Sequence, residues 1–370
     1  MNFLGKRIVV FGAGKASKIV FKWFAYRNIT PFVVVDNNPS LWGVCVCNVS
    51  ISSPDILRDI DFDYIVVSSR KFYDEIVFDL SSKYAVPQDK ILKGVFALAG
   101  YELIDFYENN PDFVDSGEME LILEKIRREG ELFSWNYPYG HPNVFERISV
   151  EVHFDDTCSL FYALYNGKRM YMSHNFTDAK RVRDYVASLM IEQNIKSPHR
   201  YLDTDFTFDG GVVLDAGAAE GNFSLDVIDK ASHIVLVETN KAWISALEHT
   251  FAPYKDKVSI VPKFLSDVDN ETSITIDTLA QQFNFDFIKM DIEGAEPLAL
   301  KGGKKTLQTA NSLKLAVCSY HNFDDERKIK VILKDTGYYY TTTQGYMVFA
   351  RDIWKPQRFV RCIVRGEKRV

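Results

Sequence analysis

Cysteine is scarce and scattered in this 370-residue chain, which excludes both a disulfide framework and a cysteine-based zinc centre. The five cysteines are Cys45, Cys47, Cys158, Cys318 and Cys362. Their number is odd, and the one close pair, Cys45 and Cys47, lacks the further cysteine or histidine neighbours that a structural zinc site needs. Free thiols in a reducing compartment account for this pattern most simply, so we expect a cytoplasmic protein without a structural metal.

Long apolar runs and an excess of positive charge are absent as well. No run of about eighteen apolar residues occurs, so we expect no membrane span. Near the N-terminus, Lys6 and Arg7 lead directly into the strand-like run Ile8 to Phe11 rather than into the apolar core of a secretion signal. The formal net charge is −6. Because phosphate neutralisation needs a basic face, we expect no nucleic-acid partner.

The chain length and the order of its patterns predict three segments. Residues 1–110 alternate apolar runs with helical spacing, which is typical of a parallel, doubly wound sheet. Residues 111–205 contain a helical pattern, alternating strands and the hairpin signal Asn166-Gly167, so we expect a connector and cap. From 206 to 370 the strand–helix alternation resumes. It ends in an expected antiparallel pair, Gly337–Thr341 with Tyr346–Ala350. The predicted fold class is therefore α/β, with two Rossmann-like domains.

The segment Val213–Leu225, VLDAGAAEGNFSL, carries the clearest chemical signal. A buried strand ends in Asp215, turns through Gly217 and Gly221, and opens a helix. Glycine lets the backbone approach a ligand closely, and such sheets bind ligands outside the carboxyl ends of their strands. A carboxylate there repels phosphate and suits a cationic ligand, while Glu238 ends the next strand, where it suits ribose hydroxyls. The alternative is a glycine-rich turn in any α/β protein, with Asp215 capping the helix.

About two fifths of the chain, from Ser197 to Ala350, resembles the FkbM-type methyltransferases, which depend on S-adenosylmethionine and methylate oxygen. The resemblance rests on Asp215–Leu225, on KMDIEGAE at Lys289–Glu296 and on the strand-end CSYH at Cys318–His321. Glu238, Ser266-Asp267 and Ile276–Leu279 also fit. The resemblance implies a class I methyltransferase fold with an S-adenosylmethionine cofactor. The residues expected around the cofactor are Asp215, Gly217, Ala218, Glu220, Gly221, Asn222, Glu238, Ser266, Asp267 and Asp291, with Asp267 near the adenine.

Two residues at neighbouring strand ends are the candidates for the proton acceptor. Asp291 follows the fourth strand and His321 follows the fifth, and histidine is the commonest general base near neutral pH. A histidine at a strand end is equally often a hydrogen-bonded loop residue. Asp291, Glu293 and Glu296 share one short turn, where they hold a divalent metal or cap the following helix. We expect the capping role for Glu296 and leave Glu293 open.

The SPHRY run at Ser197–Tyr201 resembles a subset of the family whose acceptors are sugars. On that basis His199, Arg200 and Glu293 are the expected substrate-binding residues. The predicted function is methylation of a sugar hydroxyl in a surface glycan or in its nucleotide-activated precursor, as a step of polysaccharide biosynthesis. Whether the chain forms a homo-oligomer stays open.

A second glycine-rich turn lies near the N-terminus. Gly12 and Gly14 fit a dinucleotide-binding turn, Ser17 stands where a third small glycine is expected, and Asp36 follows Gly14 at the spacing of a ribose-binding acid. The segment resembles Rossmann-type domains of sugar-nucleotide enzymes. Residues 1–110 lack a Tyr-x-x-x-Lys pair, so a short-chain dehydrogenase mechanism has no acid–base couple. Three functions remain: the methyltransferase, a nucleotide-sugar oxidoreductase or isomerase acting through this domain, and a non-catalytic cofactor-binding protein.

Overall fold

A computed structural model describes residues 3, 5–130, 132, 136–137 (backbone only), 148–348 and 358–368. The chain divides into two compact units, Met1–Trp135 with Val348–Arg358, and Asn136–Met347 with Phe359–Val370. The segment expected to be a connector, 111–205, is shared between them. Its first helix belongs to the first unit, and its strands and second helix belong to the second unit.

The first unit has an α/β fold, in which helices pack on a β-sheet. Its strands are β1 Ile8–Phe11, β2 Val33–Val35, β3 Cys45–Val46, β4 Val49–Ser52, β5 Tyr64–Val67 and β6 Ile91–Lys93. Its α-helices are α1 Ser17–Tyr26, α2 Tyr73–Tyr84, α3 Gly94–Asn109 and α4 Gly117–Glu129. The strand order is β3-β4-β2-β1-β5-β6, and β1 pairs in parallel with both β2 and β5.

Alternation along β1 explains why this sheet is covered on both faces. Ile8 and Val10 pack in one apolar cluster, whereas Val9 and Phe11 pack in another. Because successive side chains of a strand point to opposite faces, a strand buried at every position needs a layer on each side of the sheet. The expectation of a doubly wound parallel sheet in this region is confirmed.

The second unit contains the other elements formed by the described residues. Its strands are β7 Asn136–Tyr137, β8 Val152–Asp155, β9 Leu160–Tyr165, β10 Lys168–Tyr171, β11 Gly211–Ala216, β12 Ala231–Val237, β13 Val258–Val261, β14 Phe264–Leu265, β15 Ser273–Ile274, β16 Phe287–Met290, β17 Lys314–Cys318, β18 Tyr339–Thr342, β19 Tyr346–Met347 and β20 Ile363–Glu367. Its α-helices are α5 Ala179–Glu192, α6 Asn222–Val227, α7 Lys241–Thr250, α8 Ile276–Leu279, α9 Glu296–Gly302, α10 Lys304–Thr309 and α11 Asp325–Asp335.

Within the described residues, the main sheet of this unit has the order β13-β12-β11-β16-β17-β20-β18. In this sheet β13, β12, β11, β16 and β17 run parallel to one another, whereas β20 is antiparallel to both of its neighbours, β17 and β18. The carboxyl ends of β11, β12 and β16 therefore lie side by side at one edge, next to that of β17. This confirms the expected parallel sheet with an antiparallel end.

The predicted partner in the closing hairpin was wrong. Strand β18 pairs with β20, not with the segment Tyr346–Ala350. Tyr346 and Met347 pair instead with β7, and Ala350 lies outside the described residues. Tyr346–Ala350 is the more apolar of the two segments, so local pattern favours it, and long-range packing decides that Ile363–Glu367 enters the sheet instead.

A large apolar cluster packs against the sheet of the second unit, with Leu214, Ile288, Leu300 and Val317 fully buried in it. Rigid packing beneath the carboxyl ends of the strands positions the loops that follow them. Among the described residues, no helix is long and apolar enough to cross a membrane.

Candidate active site

The turn that follows β11 passes very close to the turn that follows β16. Gly217 has a φ of +73°, and a Cβ atom added to it would lie 1.8 Å from the carbonyl oxygen of Asp291. Gly221 also has a positive φ, and its added Cβ would lie 2.7 Å from the Phe251 ring. Neither position accepts a side chain. The two glycines allow the backbone of this loop to lie directly on the neighbouring turn and on α7.

Asp215, at the end of β11, is completely buried and neutralised by a lysine on the next strand. The Lys289 ammonium lies 2.9 Å from Asp215 Oδ1 and donates to the Gly217 carbonyl oxygen at 2.7 Å. The Ser224 hydroxyl donates to Asp215 Oδ2 at 2.6 Å. Burial lowers the pKa of Lys289, but the charges of Asp215 and Asp291 outweigh burial and raise it. Lys289 lies in the KMDIEGAE motif, yet its sequence position did not reveal this partner.

Glu238 lies at the end of β12, beside the glycine-rich loop. Its carboxylate accepts a hydrogen bond from the backbone N–H of Ala219 at 3.0 Å. It also accepts bonds of 2.7 Å from the N–H groups of Thr239 and Asn240. The side chain is half-buried. These bonds orient the carboxylate at the edge of the loop, where it has been predicted to receive ribose hydroxyls.

Glu220 is the buried acid of the glycine-rich loop, and its partner, Tyr185, comes from α5. The Tyr185 hydroxyl donates to Glu220 Oε2 at 2.7 Å. Burial raises the pKa of Glu220 to about 7, against the hydrogen bond from Tyr185, which lowers it. Tyr185 also lies near Phe176 and Trp243 in an aromatic group. Sequence reasoning missed Tyr185, since its helix carries no family motif.

The remaining cofactor candidates differ in exposure. Ala218 and Asn222 are buried within the loop and the start of α6, where Asn222 Oδ1 accepts the N–H of Phe223 at 2.7 Å. Ser266 is half-buried and Asp267 is exposed, both after β14. Gly302, at the end of α9, packs against the backbone of Ser266, because an added Cβ would lie 2.0 Å from its carbonyl oxygen.

Asp291 is held by two tyrosine hydroxyls that come from distant parts of the chain. Tyr201 donates to Oδ2 at 3.1 Å, and Tyr320 lies 3.1 Å from both carboxylate oxygens. Burial raises the pKa of Asp291, but the positive charge of Lys289 and the nearby histidines outweigh burial and lower it. Asp291 therefore stays a carboxylate at neutral pH. Neither tyrosine was singled out from the sequence.

His321 lies close to Asp291, at the edge where the two strands end, and it also lies near Glu293 and Glu296. Its Nε2 lies 3.3 Å from Asp291 Oδ1 and 3.7 Å from Glu293 Oε2, and its Nδ1 lies 3.1 Å from Glu296 Oε1. Burial lowers the pKa of His321, but the hydrogen bond to Glu296 and the acidic charges outweigh burial and raise it. Glu293 is 94% exposed, whereas Glu296 is fully buried and also accepts the N–H of Ile292 at 2.8 Å.

The expected substrate residues of the SPHRY run are largely buried. His199 Nε2 lies 3.1 Å from the Tyr320 hydroxyl, its Nδ1 lies 3.8 Å from Glu192, and burial lowers its pKa to about 4. Arg200 donates from Nε to the carbonyl of Leu202. His199 thus supports the tyrosine that holds Asp291. Contact of His199 or Arg200 with an acceptor stays a prediction, and burial leaves both with little surface to offer.

The N-terminal glycine turn forms in the first unit as a separate feature. Both Asp36 oxygens accept backbone N–H groups, Oδ2 from Ala13 at 2.7 Å and Oδ1 from Asn38 at 2.8 Å. The Ser17 hydroxyl donates to the Gly14 carbonyl at 2.7 Å. Asp36 therefore braces the turn, and whether it also binds a nucleotide stays a prediction.

Comparison with known proteins is consistent with the second unit's architecture. Residues 212–340 match the family model of the methyltransferase FkbM domain, and residues 4–92 match a family described as C2185-like, N-terminal. A search of curated proteins found no match.

Among solved structures, the chain is similar to a methyltransferase FkbM from Methylobacillus flagellatus KT, with 17% identity and a TM-score of 0.45 over 98% of this chain and 90% of that one. It is also similar to magnesium protoporphyrin IX methyltransferase from Synechocystis PCC 6803 with bound SAM, at 15% identity and a TM-score of 0.29 over 51% and 79%.

Proposed function

We propose that this chain, which carries a methyltransferase domain of the FkbM type at residues 212–340, transfers a methyl group from S-adenosylmethionine to a hydroxyl oxygen. The proposed acceptor is a sugar of a surface glycan or of its nucleotide-activated precursor. The observation that carries the proposal is the meeting of the glycine-rich loop and the Asp291 turn, where Gly217 admits no side chain against the Asp291 carbonyl.

The residues of the loop fit the two ends of the cofactor. Glu238, oriented by three backbone N–H groups, is the proposed partner of the ribose hydroxyls. Glu220 is the buried acid of the same loop and is the proposed partner of the cationic methionine end. Asp215 is the less suitable partner for the ammonium group, because Lys289 already neutralises it inside the core. Its proposed role is to hold Lys289, which in turn binds the Gly217 carbonyl.

S-adenosylmethionine supplies a methyl group activated by a sulfonium. As the acceptor oxygen bonds to the methyl carbon, the carbon–sulfur bond breaks and the hydroxyl proton leaves. Asp291 and His321 are the proposed groups that position the hydroxyl and receive its proton. Alignment is the larger contribution, since positioning alone is worth roughly 7–11 kcal/mol. The two tyrosine hydroxyls on Asp291 support such alignment by restricting its carboxylate.

The sugar acceptor is supported by the segment Ser197–Tyr201, which resembles that of sugar-specific relatives. Two of its residues are linked to the site: Tyr201 donates to Asp291, and His199 contacts the Tyr320 hydroxyl. The segment therefore contributes to the walls beside the proposed acceptor.

The test is transfer of a labelled methyl group from S-adenosylmethionine to an extract of nucleotide sugars and glycan precursors. We expect a labelled sugar product that withstands base, as an ether does and an ester does not. Asp291→Asn is the matched control, since it preserves side-chain size. Calorimetry with S-adenosylmethionine and with nicotinamide nucleotides accompanies the assay. Binding of a nicotinamide nucleotide alone, with its reduction by a nucleotide sugar, would instead favour the oxidoreductase.

A further inference from the structure

The Asp291 turn concentrates acidic charge around His321. Asp291, Glu293 and Glu296 all face His321. Within the described part of the chain, no lysine or arginine nitrogen lies within 4.0 Å of these three carboxylates. The side-chain nitrogens that lie within this distance belong to His321 and His199. Such a group attracts a cation.

The imidazole of His321 is oriented from behind by a buried carboxylate. Glu296 is fully buried, and its Oε1 faces His321 Nδ1 at 3.1 Å. Its Oε2 is enclosed without a hydrogen-bond partner among the residues that the structure describes. Histidines that bind metals almost always donate their second ring N–H to a carboxylate or carbonyl, which fixes the tautomer and directs the other nitrogen to the metal. Here that other nitrogen, Nε2, faces Asp291 and Glu293.

We infer that His321 Nε2, Asp291 Oδ1 and the Glu293 carboxylate bind a divalent cation, with Glu296 as the positioning residue of the imidazole. Neighbouring ligands of an octahedral ion lie about 3 Å apart when the bonds are about 2.1 Å long. The separations of 3.3 Å and 3.7 Å from His321 Nε2 to Asp291 and Glu293 are close to that value. Glu293, 94% exposed, is free to close the remaining gap by a rotamer change.

A second group of metal-ligand type, His199, Asp291 and Cys318, shares Asp291 with the first. It is a poorer candidate because the Tyr320 hydroxyl already lies between two of its members, 3.1 Å from His199 Nε2 and 3.1 Å from Asp291 Oδ2. An ion there would have to displace that hydroxyl. The group with His321 opens instead towards the exposed Glu293.

The donor set selects the class of ion. Two carboxylates with one imidazole suit an octahedral ion such as Mn²⁺ better than a thiolate-seeking ion. Three protein ligands leave positions for water or for acceptor oxygens. This role rests on the proposed function: with His321 Nε2 and Asp291 Oδ1 as its ligands, the ion would replace the His321 base and act as a Lewis acid on the acceptor hydroxyl, so that its proton leaves more readily. Binding of the ion itself does not depend on methyl transfer.

The test is a titration of the full chain with Mn²⁺. Binding is measured by the decrease of the electron paramagnetic resonance signal of the free ion. We expect about one ion per chain, and pulsed measurements should detect an imidazole nitrogen that His321→Gln removes. Glu293→Gln, at an exposed position, should lower the affinity for Mn²⁺ at least tenfold without affecting folding. Glu296→Gln should lower the affinity for Mn²⁺ roughly 10–100-fold, because the His321 imidazole is then no longer held in its orientation. Glu248→Gln, an exposed change of equal charge on α7, is the matched control.

Folding and calorimetry with S-adenosylmethionine are measured on every variant. Absence of stoichiometric Mn²⁺ binding by the folded wild-type chain, or binding that Glu293→Gln leaves unchanged, overturns the inference. Retained cofactor binding in that case leaves the proposed function intact. Specific Mn²⁺ binding without any cofactor binding supports the metal site and defeats the proposed function instead.

Discussion

Asp215 and Lys289 face each other across adjacent parallel strands, in register, with their charged atoms 2.9 Å apart and no exposure of the Asp215 side chain. The pair lies directly beneath the glycine-rich loop, and Lys289 also binds the Gly217 carbonyl. The most prominent acid of the first motif is therefore part of the internal support of the site.

The first prediction concerns this ion pair. Asp215→Ala should destabilise the fold by about 3–5 kcal/mol, because it leaves the Lys289 ammonium buried without its partner. Lys289→Met should do the same for Asp215, while the double variant Asp215→Ala/Lys289→Met should lose less than the sum of the two. Urea denaturation of the four chains measures the effect. Single variants as stable as the wild type would show that the pair does not support the fold.

The second prediction concerns Glu238. Glu238→Ala should lower the affinity for S-adenosylmethionine about tenfold to 150-fold, since hydrogen bonds to a charged group contribute about 1.5–3 kcal/mol. Glu248→Ala, on the exposed side of α7, is the control and should bind normally. Calorimetry provides the dissociation constants. Equal affinity in both variants would remove Glu238 from the cofactor site.

The third prediction concerns the ionisation of Glu220, whose pKa burial raises to about 7. The carboxyl is neutral below that pH and charged above it, and a cationic ligand prefers the charged form. Affinity for S-adenosylmethionine should therefore rise between about pH 6 and pH 8, and binding near neutral pH should release a proton. The stability of the unliganded protein should change in the opposite direction. A carboxyl with a raised folded-state pKa stabilises the fold at low pH and loses that contribution as pH rises through about 7.

Calorimetry in buffers of different ionisation enthalpy detects the released proton. Glu220→Gln should abolish both the release and the pH dependence of affinity. If the wild type shows neither, Glu220 does not face the cationic end of the cofactor.

The fourth prediction concerns Asp291 and His321. Asp291→Asn should lower turnover roughly 10²–10⁴-fold, since the amide does not receive a proton and is a weaker cation ligand than a carboxylate. Wild-type turnover should fall as the pH is lowered, because His321, with its raised pKa, becomes protonated and no longer accepts a proton or a metal. His321→Gln should lower turnover and remove that acidic decline. The measurement is the rate from pH 5 to 9 with saturating cofactor. If the acidic decline persists in His321→Gln, a group other than His321 causes it.

Local sequence was enough for the parts of the fold that depend on neighbouring residues. The alternation of strands and helices, the positive-φ glycines Gly217 and Gly221, and the strand-end positions of Asp291 and His321 all follow from periodicity and turn chemistry. Parallel strands bring their carboxyl ends together, so those two side chains were expected at one edge, and they do lie together.

Tertiary structure alone decided the partners. Tyr201 reaches Asp291 across 90 residues of sequence, and Glu220 receives its hydrogen bond from Tyr185 on a helix that carries no motif. The neutralisation of Asp215 by Lys289 and the insertion of Ile363–Glu367 into the sheet are of the same kind. A pattern of a few residues specifies which way a side chain points from its own element. Which side chain meets it depends on packing between elements far apart in the chain, and that packing also sets the burial that shifts each pKa.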